Sequence, residues 1–255
     1  MKTPTNITST GPGQVRCIAL LLGALTLAGY LQAQTKPVNP DVIAPSGKYL
    51  GLSYSDWAAR WWISIFSIPV VDGNHPNITG GAFGGEQGML FLSGAGFPAG
   101  AGVAATFDIT IPAGTALLFP VVNAECSILE PDPFHGTDET SLRACANSWI
   151  DNTSGHFAIV DGVPVSNLDA YREQSPLFVF GPLPENNVFE FLGLDAPAGT
   201  TSPSVDAGVY LLLAPLSPGK HVLHFGATFN VDGFYFDTTF NITVLPKKRS
   251  EAANE

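Results

Sequence analysis

The chain has 255 residues, of which 45% are hydrophobic and 13% are charged, and its formal net charge at pH 7 is −11. This acidic balance argues against nucleic acid and anionic lipid as partners, because both repel a negatively charged surface. The 27 glycines and 21 prolines favour many short strands joined by tight turns, and they argue against a helical bundle.

Residues 1–33 have the features of a secretory signal peptide. Lys2 and Arg16 make this leader basic, and residues 17–31 form an apolar run that is too short to cross a bilayer comfortably. Ala33 supplies a small residue before a plausible cleavage point, and an uncleaved signal anchor is the alternative. We therefore expect a secreted, periplasmic or cell-surface protein with no membrane span after cleavage.

Residues 54–66, with the sequence YSDWAARWWISIF, are predicted to form a helix. Ser53 or Ser55 can cap it, and Asp56 and Arg60 can pair because they lie four residues apart. Its broad apolar face is formed by Trp57, Trp61, Trp62, Ile65 and Phe66. Packing against the core is the favoured interpretation of this face. An aromatic ligand groove is the first alternative, and a membrane interface, which usually needs several cations, is the second.

Apolar runs predict strands along much of the remaining chain. Residues 103–111 alternate between apolar and polar side chains, as in a half-buried strand. Residues 115–122 are apolar on both faces, as in a central strand, and Pro120 within them predicts a bulge or an edge. Residues 156–165 are predicted to form a hairpin around Asp161 and Gly162. Shorter strands are predicted at 89–93, 177–180, 187–192 and 209–214.

The clearest pattern lies near the end of the chain. Residues 221–229 and 234–244 alternate on either side of a turn at 230–233, which indicates an antiparallel hairpin with one buried face. The segment PLSPGKHVLHF with this hairpin resembles the closing strands of immunoglobulin-like extracellular domains. The resemblance implies a sandwich and no particular activity.

Together these patterns predict a mainly β protein, an antiparallel β-sandwich of immunoglobulin-like or jelly-roll-like type with two short helices. The second helix is expected near residues 139–150, with Thr137 or Asp138 as its cap. Residues 34–246 should form a single domain, with two packed subdomains as the alternative, followed by a charged tail at 247–255.

The segment Asn123–Glu139 concentrates acidic side chains. Glu125 with Glu130 or Asp132 could form an acid–base pair for catalysis, and Glu130, Asp132 and Asp138 could hold a Ca²⁺ ion. A solvated acidic loop is the simpler interpretation, since the spacing fits no calcium-loop motif. Two cysteines remain after the leader, and in an exported chain Cys126 and Cys145 are expected to form a disulfide.

One further polar patch is predicted on the solvated face of the closing hairpin. His224, Tyr235 and Asp237 lie there, as in sandwiches that bind sugars on an open sheet, although ordinary sheet surface is the simpler interpretation. His221 and His224 fall on opposite faces of their strand, so they should not share a metal ion.

Three segments, YSDWAARWW, IPAGTALLFPVVNAECS and LSPGKHVLHFG, are similar to a group of uncharacterised exported bacterial proteins. The resemblance implies export from a bacterial cell and a single fold unit that contains all three segments. It assigns no role to any residue.

The sequence favours an exported, non-catalytic binding or envelope-associated protein with no required cofactor. The expected partner is an extracellular glycan or polymer, held by Trp57, Trp61 and Trp62 or by the hairpin patch. A carboxylate-dependent enzyme acting on glycans and a purely structural surface protein are the alternatives. The nucleophile motifs of common hydrolases are absent from the sequence.

Overall fold

The computed structural model describes residues 41–86, 88–94, 103–231 and 233–247, and these belong to one compact unit. Its helices are α1 (Tyr54–Phe66), α2 (Pro76–Thr79), α3 (Glu139–Asp151) and α4 (Val188–Phe191), with a 3-10 turn at Leu168–Tyr171. Its strands are β1 (Gly81–Phe83), β2 (Met89–Ser93), β3 (Val103–Pro112), β4 (Ala116–Ser127), β5 (Thr153–Val160), β6 (Val163–Pro164), β7 (Arg172–Gln174), β8 (Phe178–Phe180), β9 (Ser202–Leu213), β10 (Gly219–Phe229) and β11 (Phe234–Leu245).

The strands form two sheets, which confirms the predicted β-sandwich. Sheet one has the order β1-β2-β4-β9-β7, and β8 also pairs with β9. Sheet two has the order β3-β11-β10-β5-β6. Most neighbours are antiparallel, and the pairs β2–β4 and β3–β11 are parallel. The leader and the C-terminal residues 248–255 lie outside the described residues.

The two sheets pack through large aromatic side chains. Phe119 of β4 lies 4.8 Å from Phe225 of β10, measured between ring centroids, and Phe225 in turn stacks on Phe240 of β11. All three rings are fully buried. Along β3 and β11, residues that point toward this core alternate with more exposed residues, as the sequence pattern predicted.

Strands β4 and β9 are buried on both faces because α1 covers one face of sheet one, and α3 together with sheet two covers the other. Neighbouring residues of a strand point to opposite faces. Glu125 shares its face with Asp206, which contacts Trp62 of α1, whereas Cys126 is bonded to Cys145 of α3. Helix α1 therefore packs on one face of β4 and α3 on the other.

The local predictions are mostly confirmed, with three corrections. Pro120 does mark a bulge, because the β4–β9 register shifts between Pro120 and Val122.

The strand predicted at 187–192 is wrong: Asn187 accepts a hydrogen bond from the Glu190 backbone N–H and begins the single turn of α4. The single turn α2 was not predicted. The predicted Asp56–Arg60 pair is also wrong, because Asp56 closes a capping box with Ser53 and Arg60 pairs with Glu86.

Among the described residues, no helix has both the length and the apolar character needed to cross a membrane.

Candidate functional site

A cavity of about 830 Å³ lies where α1, β4, the loop after β4 and the β10–β11 hairpin meet. Nine of the 22 residues that line it are aromatic, and the rings come from segments far apart in the chain: Trp61, Trp62, Phe66, Phe134, Trp149, Phe189, Phe229, Phe234 and Phe236. The polar part of the wall contains three acidic residues, Glu125, Glu130 and Asp132. The cavity therefore has an apolar body and one acidic region.

Helix α1 supplies part of the aromatic wall. Its capping box fixes the first turn, and the i, i+4 spacing then places Trp57 and Trp61 on the buried side. Trp61 Nε1 donates to the Leu92 carbonyl at 3.1 Å, which holds the indole between α1 and β2. Trp62 packs edge-on against Trp61, with 4.9 Å between ring centroids.

Only two of the three predicted ligand-binding tryptophans reach the cavity. Trp57 is fully buried, its Nε1 donates to the Tyr49 carbonyl at 3.1 Å, and its ring packs against Phe91. A ring enclosed in this way has no face for a ligand, so Trp57 belongs to the core. Trp61 and Trp62 are 1% and 6% exposed, and that small exposed area faces the cavity.

Glu125 and Glu130 form a carboxyl–carboxylate pair in the cavity wall. The Glu125 side chain donates a hydrogen bond to Glu130. The Ser204 hydroxyl donates to Glu125, and the Ser127 hydroxyl donates to Glu130 Oε2 at 2.8 Å. These hydroxyls orient the two carboxyl groups toward each other.

The electrostatics of this pair favour a shared proton. Burial raises the pKa of Glu125 well above its usual value, and the negative charge of Glu130 raises it further. Burial also raises the pKa of Glu130, although its hydrogen bonds from Glu125 and Ser127 act in the opposite direction. Two carboxyl groups this close hold one proton between them to higher pH than an isolated carboxyl would.

A further buried carboxyl group, that of Asp206, lies beside the pair and has its own hydrogen bonds. Asp206 stands directly opposite Glu125 in the β4–β9 register. Its Oδ1 accepts from Trp62 Nε1 at 2.7 Å, and its carboxyl group also hydrogen-bonds to the Tyr210 side chain. The Tyr210 hydroxyl oxygen in turn accepts from Asn123 Nδ2 at 2.9 Å and lies 3.2 Å from Trp62 Nε1. Burial raises the pKa of Asp206 to about 8. Within the described residues Asp206 Oδ2 has no hydrogen-bond partner, which also favours the neutral acid.

The predicted calcium ligands are not brought together. Asp132 is exposed at the cavity rim and Glu130 is paired with Glu125. Asp138 instead caps α3, accepting from the Ser141 backbone N–H at 2.8 Å. In the described part of the chain, no group of three His, Cys, Asp or Glu side chains is arranged to hold a metal ion.

The predicted disulfide Cys126–Cys145 is confirmed, and it shapes the wall of the cavity. It joins β4 to α3 with a Cα–Cα distance of 6.1 Å. One turn after Cys145, Trp149 stacks on Phe134, with ring centroids 4.7 Å apart and planes nearly parallel. Both rings line the cavity, so the disulfide fixes the helix that carries one of them.

The predicted patch of His224, Tyr235 and Asp237 on the closing hairpin lies outside the cavity wall. His224 Nε2 and Asp237 Oδ1 are 2.6 Å apart, and Tyr235 on the same strand as Asp237 is 46% exposed. His221 instead contacts Asp161. None of the three patch residues lines the cavity, so its role in binding stays a prediction.

Much of the site does not follow from the sequence. Asp206 and Ser204 lie two residues apart in the strand that ends in VYLLL, and polar residues at alternate positions of a buried strand are a usable signal. The aromatic residues of the wall gave no such signal. Phe134, Phe189 and Phe229 belong to three separate segments, and only the tertiary fold brings them to one cavity.

Comparison with known protein families finds no match, and comparison with curated proteins finds none either. Among solved structures, the chain is similar to one from the structure of PbICP-C in complex with falcipain-2. The two are 12% identical, the match covers 61% of this chain and 98% of that chain, and the TM-score is 0.24. This similarity is too low to establish a shared fold.

Proposed function

We propose that the protein is an exported, non-catalytic binding protein whose ligand occupies the aromatic cavity. The observation that carries this proposal is a cavity of about 830 Å³ in which nine aromatic side chains meet three acidic ones. Sites for small molecules are typically concave and of roughly 300–1,000 Å³, with an apolar lining and a few polar groups that orient the ligand. A purely structural protein would be expected to fill such a space with its own side chains.

Export is supported by the basic and apolar leader at residues 1–33 and by the disulfide. Disulfides persist mainly in oxidising compartments, and Cys126 and Cys145 are bonded in the folded protein. The proposed location is therefore outside the cytoplasm, in the periplasm, at the cell surface or in the medium.

The ligand class is argued from the wall of the cavity. A glycan carries a hydroxyl on most of its ring carbons, and most of those hydroxyls would face Phe66, Phe189 and other rings without a hydrogen-bond partner. Burying an unpaired hydroxyl costs roughly 1–3 kcal/mol. A largely apolar small molecule with one polar end fits this wall better than the glycan or polymer expected from the sequence.

The absence of a glycosidase geometry supports a non-catalytic role. The two carboxyl groups of glycoside hydrolases lie roughly 5–9.5 Å apart, on either side of the bond that breaks. Glu125 and Glu130 instead hydrogen-bond to each other, so they are closer together than that separation. Asp132 is exposed at the rim. The pair is better placed to bind the polar end of a ligand.

Filling the cavity tests the proposal. N-phenyl-1-naphthylamine, a neutral dye that fluoresces in apolar surroundings, should bind to the wild-type protein. Leu194 lines the cavity, and the Leu194→Trp substitution should weaken dye binding at least about tenfold by occupying its volume. Leu177 is 43% exposed and does not line the cavity, so Leu177→Trp is the matched control and should bind as the wild type does. Equal binding by all three proteins, or by none, would contradict the proposal.

A further inference from the structure

The charges of the cavity wall are unbalanced. Its acidic region contains Glu125, Glu130 and Asp132, and none of the described residues that line it is Lys, Arg or His. The arginines of the described ranges are engaged elsewhere, because each of Arg60, Arg143 and Arg172 forms an ion pair with a carboxylate outside the cavity: Glu86, Glu139 and Asp151. The described lysines are exposed. Among the described residues, no lysine or arginine therefore pairs with Glu125 or Glu130.

The rest of the wall would also attract a positive charge. Aromatic rings carry partial negative charge on their faces, and a cation within about 6 Å of a ring centroid is stabilised by roughly 0.5–2 kcal/mol. Trp61 and Trp62 lie in the same cavity wall as the acidic pair. An anion, by contrast, would meet both the carboxyl groups and the negative net charge of the chain.

We infer that the ligand is an organic monocation, an ammonium group on an apolar body, with its nitrogen against the Glu125–Glu130 pair and its body among the aromatic rings. This inference rests on the proposed binding function and names the chemical class of the ligand. The ammonium group replaces the proton that the two carboxyl groups share, and it donates hydrogen bonds to both of them.

Binding of such a ligand is coupled to proton release. The polar groups around the pair are Asp132 and His135 from the loop after β4 and, from β9, Asp206 and the Ser204 hydroxyl; His135 Nδ1 lies 2.8 Å from the Glu130 carbonyl oxygen. The proton leaves to solvent when the cation binds. Affinity for the cation should therefore rise with pH as long as the free pair holds its proton, by at most about tenfold per pH unit.

Three compounds that differ only in their polar end test the inference: 4-phenylbutylammonium, 4-phenylbutanol and 4-phenylbutanoate. Isothermal titration calorimetry at pH 7 should show the ammonium compound binding at least tenfold more tightly than the alcohol, and the carboxylate binding most weakly. In buffers with different ionisation enthalpies, the ammonium titration should reveal proton release and the alcohol titration should not.

Variants test whether Glu125 and Glu130 cause the preference for the ammonium compound. The double substitution Glu125→Gln/Glu130→Gln should abolish both the preference for the ammonium compound and the proton release, while alcohol binding is retained as evidence of an intact cavity. The control Asp169→Asn/Glu185→Gln likewise makes two acid-to-amide substitutions, at exposed positions outside the cavity wall, so it should retain the preference.

The outcomes separate the two proposals. Equal or tighter binding of the alcohol, or a preference that survives in Glu125→Gln/Glu130→Gln, overturns the cation inference and leaves the binding function intact. If none of the three compounds binds but N-phenyl-1-naphthylamine does, the cation inference alone fails. If the dye does not bind either, both proposals fail.

Discussion

Asp206 illustrates how one buried side chain affects the stability of the protein. It is fully buried on β9, and Trp62 and Tyr210 donate hydrogen bonds to it. These donors favour the charged form, yet desolvation is the larger effect and raises the pKa to about 8. A carboxyl group that keeps its proton only in the folded state stabilises that state most at low pH.

We expect the free energy of unfolding to fall as pH rises from about 4 to about 8. Across this range the unfolded chain has released the Asp206 proton and the folded protein still binds it, because the pKa is about 8 when folded and 3.8 without perturbation. The contribution of this group should decrease by an amount on the order of 5 kcal/mol and then level off.

Urea unfolding at several pH values, in the wild type and in Asp206→Asn, measures this effect. The amide cannot ionise, so the variant should lose distinctly less stability with rising pH. Some loss should persist because the pKa values of Glu125, Glu130 and Glu173 are also raised by burial. Parallel curves for the two proteins would show that folding does not shift the pKa of Asp206.

Helix α1 shows what local sequence information can specify. The capping box of Ser53 and Asp56 and the spacing of the tryptophans set both the bounds and the buried face of the helix. The partner of Arg60 is not local: Glu86 lies 26 residues away, and the cap had already engaged Asp56. Local spacing therefore predicted the helix correctly and its ion pair wrongly.

We expect truncation of the buried face of α1 to be costly. Phe66 is 2% exposed and its ring contacts Trp62, Phe180 and Phe189, so Phe66→Ala should destabilise the protein by about 3–5 kcal/mol through lost burial and a new void. Ile63 lies on the outer face of the same helix and is 36% exposed, so Ile63→Ala should cost less than about 1 kcal/mol. Chemical denaturation measures the free energy of unfolding of both variants. A similar loss of stability in the two would contradict the assigned orientation of α1.

Across the entire chain, long-range contacts hold the sandwich and its cavity together. The parallel pairs β2–β4 and β3–β11 join strands that are not adjacent in sequence, and the Cys126–Cys145 disulfide joins sheet one to α3. The aromatic wall depends on the same connections, because Trp149 of α3 stacks on Phe134 in the loop after β4.

Removal of the disulfide should therefore affect both stability and binding. The bonded cysteines are 19 residues apart, and in the loop-entropy model Cys126→Ala/Cys145→Ala should cost about 3 kcal/mol. Thermal unfolding measures this cost, and wild-type protein treated with a reducing agent should show the same loss. Binding of N-phenyl-1-naphthylamine should weaken at temperatures well below the unfolding transition, because α3 is then less firmly held. Unchanged stability would mean that β4 and α3 need no covalent connection.

The sequence by itself determined the features that depend on neighbouring residues. Alternation specified the hairpin of β10 and β11, and capping residues specified α1 and α3. The disulfide could be predicted because Cys126 and Cys145 are the two cysteines outside residues 1–33. The sequence also identified Glu125 and Glu130 as candidates for chemistry, because acidic residues were concentrated in one segment. At 187–192 the apolar pattern that predicted a strand was weak. The structure has a helical turn there, and Asn187 caps it.

The tertiary structure alone decided which side chains form the cavity and what charge they carry. Trp62 and Asp206 are 144 residues apart, and no local pattern indicates that they hydrogen-bond. Side-chain pKa values depend on burial and on nearby charges, and both are properties of the folded chain. The physical reason is that residues from many segments line the cavity. Its lining, in which none of the described residues is Lys, Arg or His, therefore forms only after those segments have packed together.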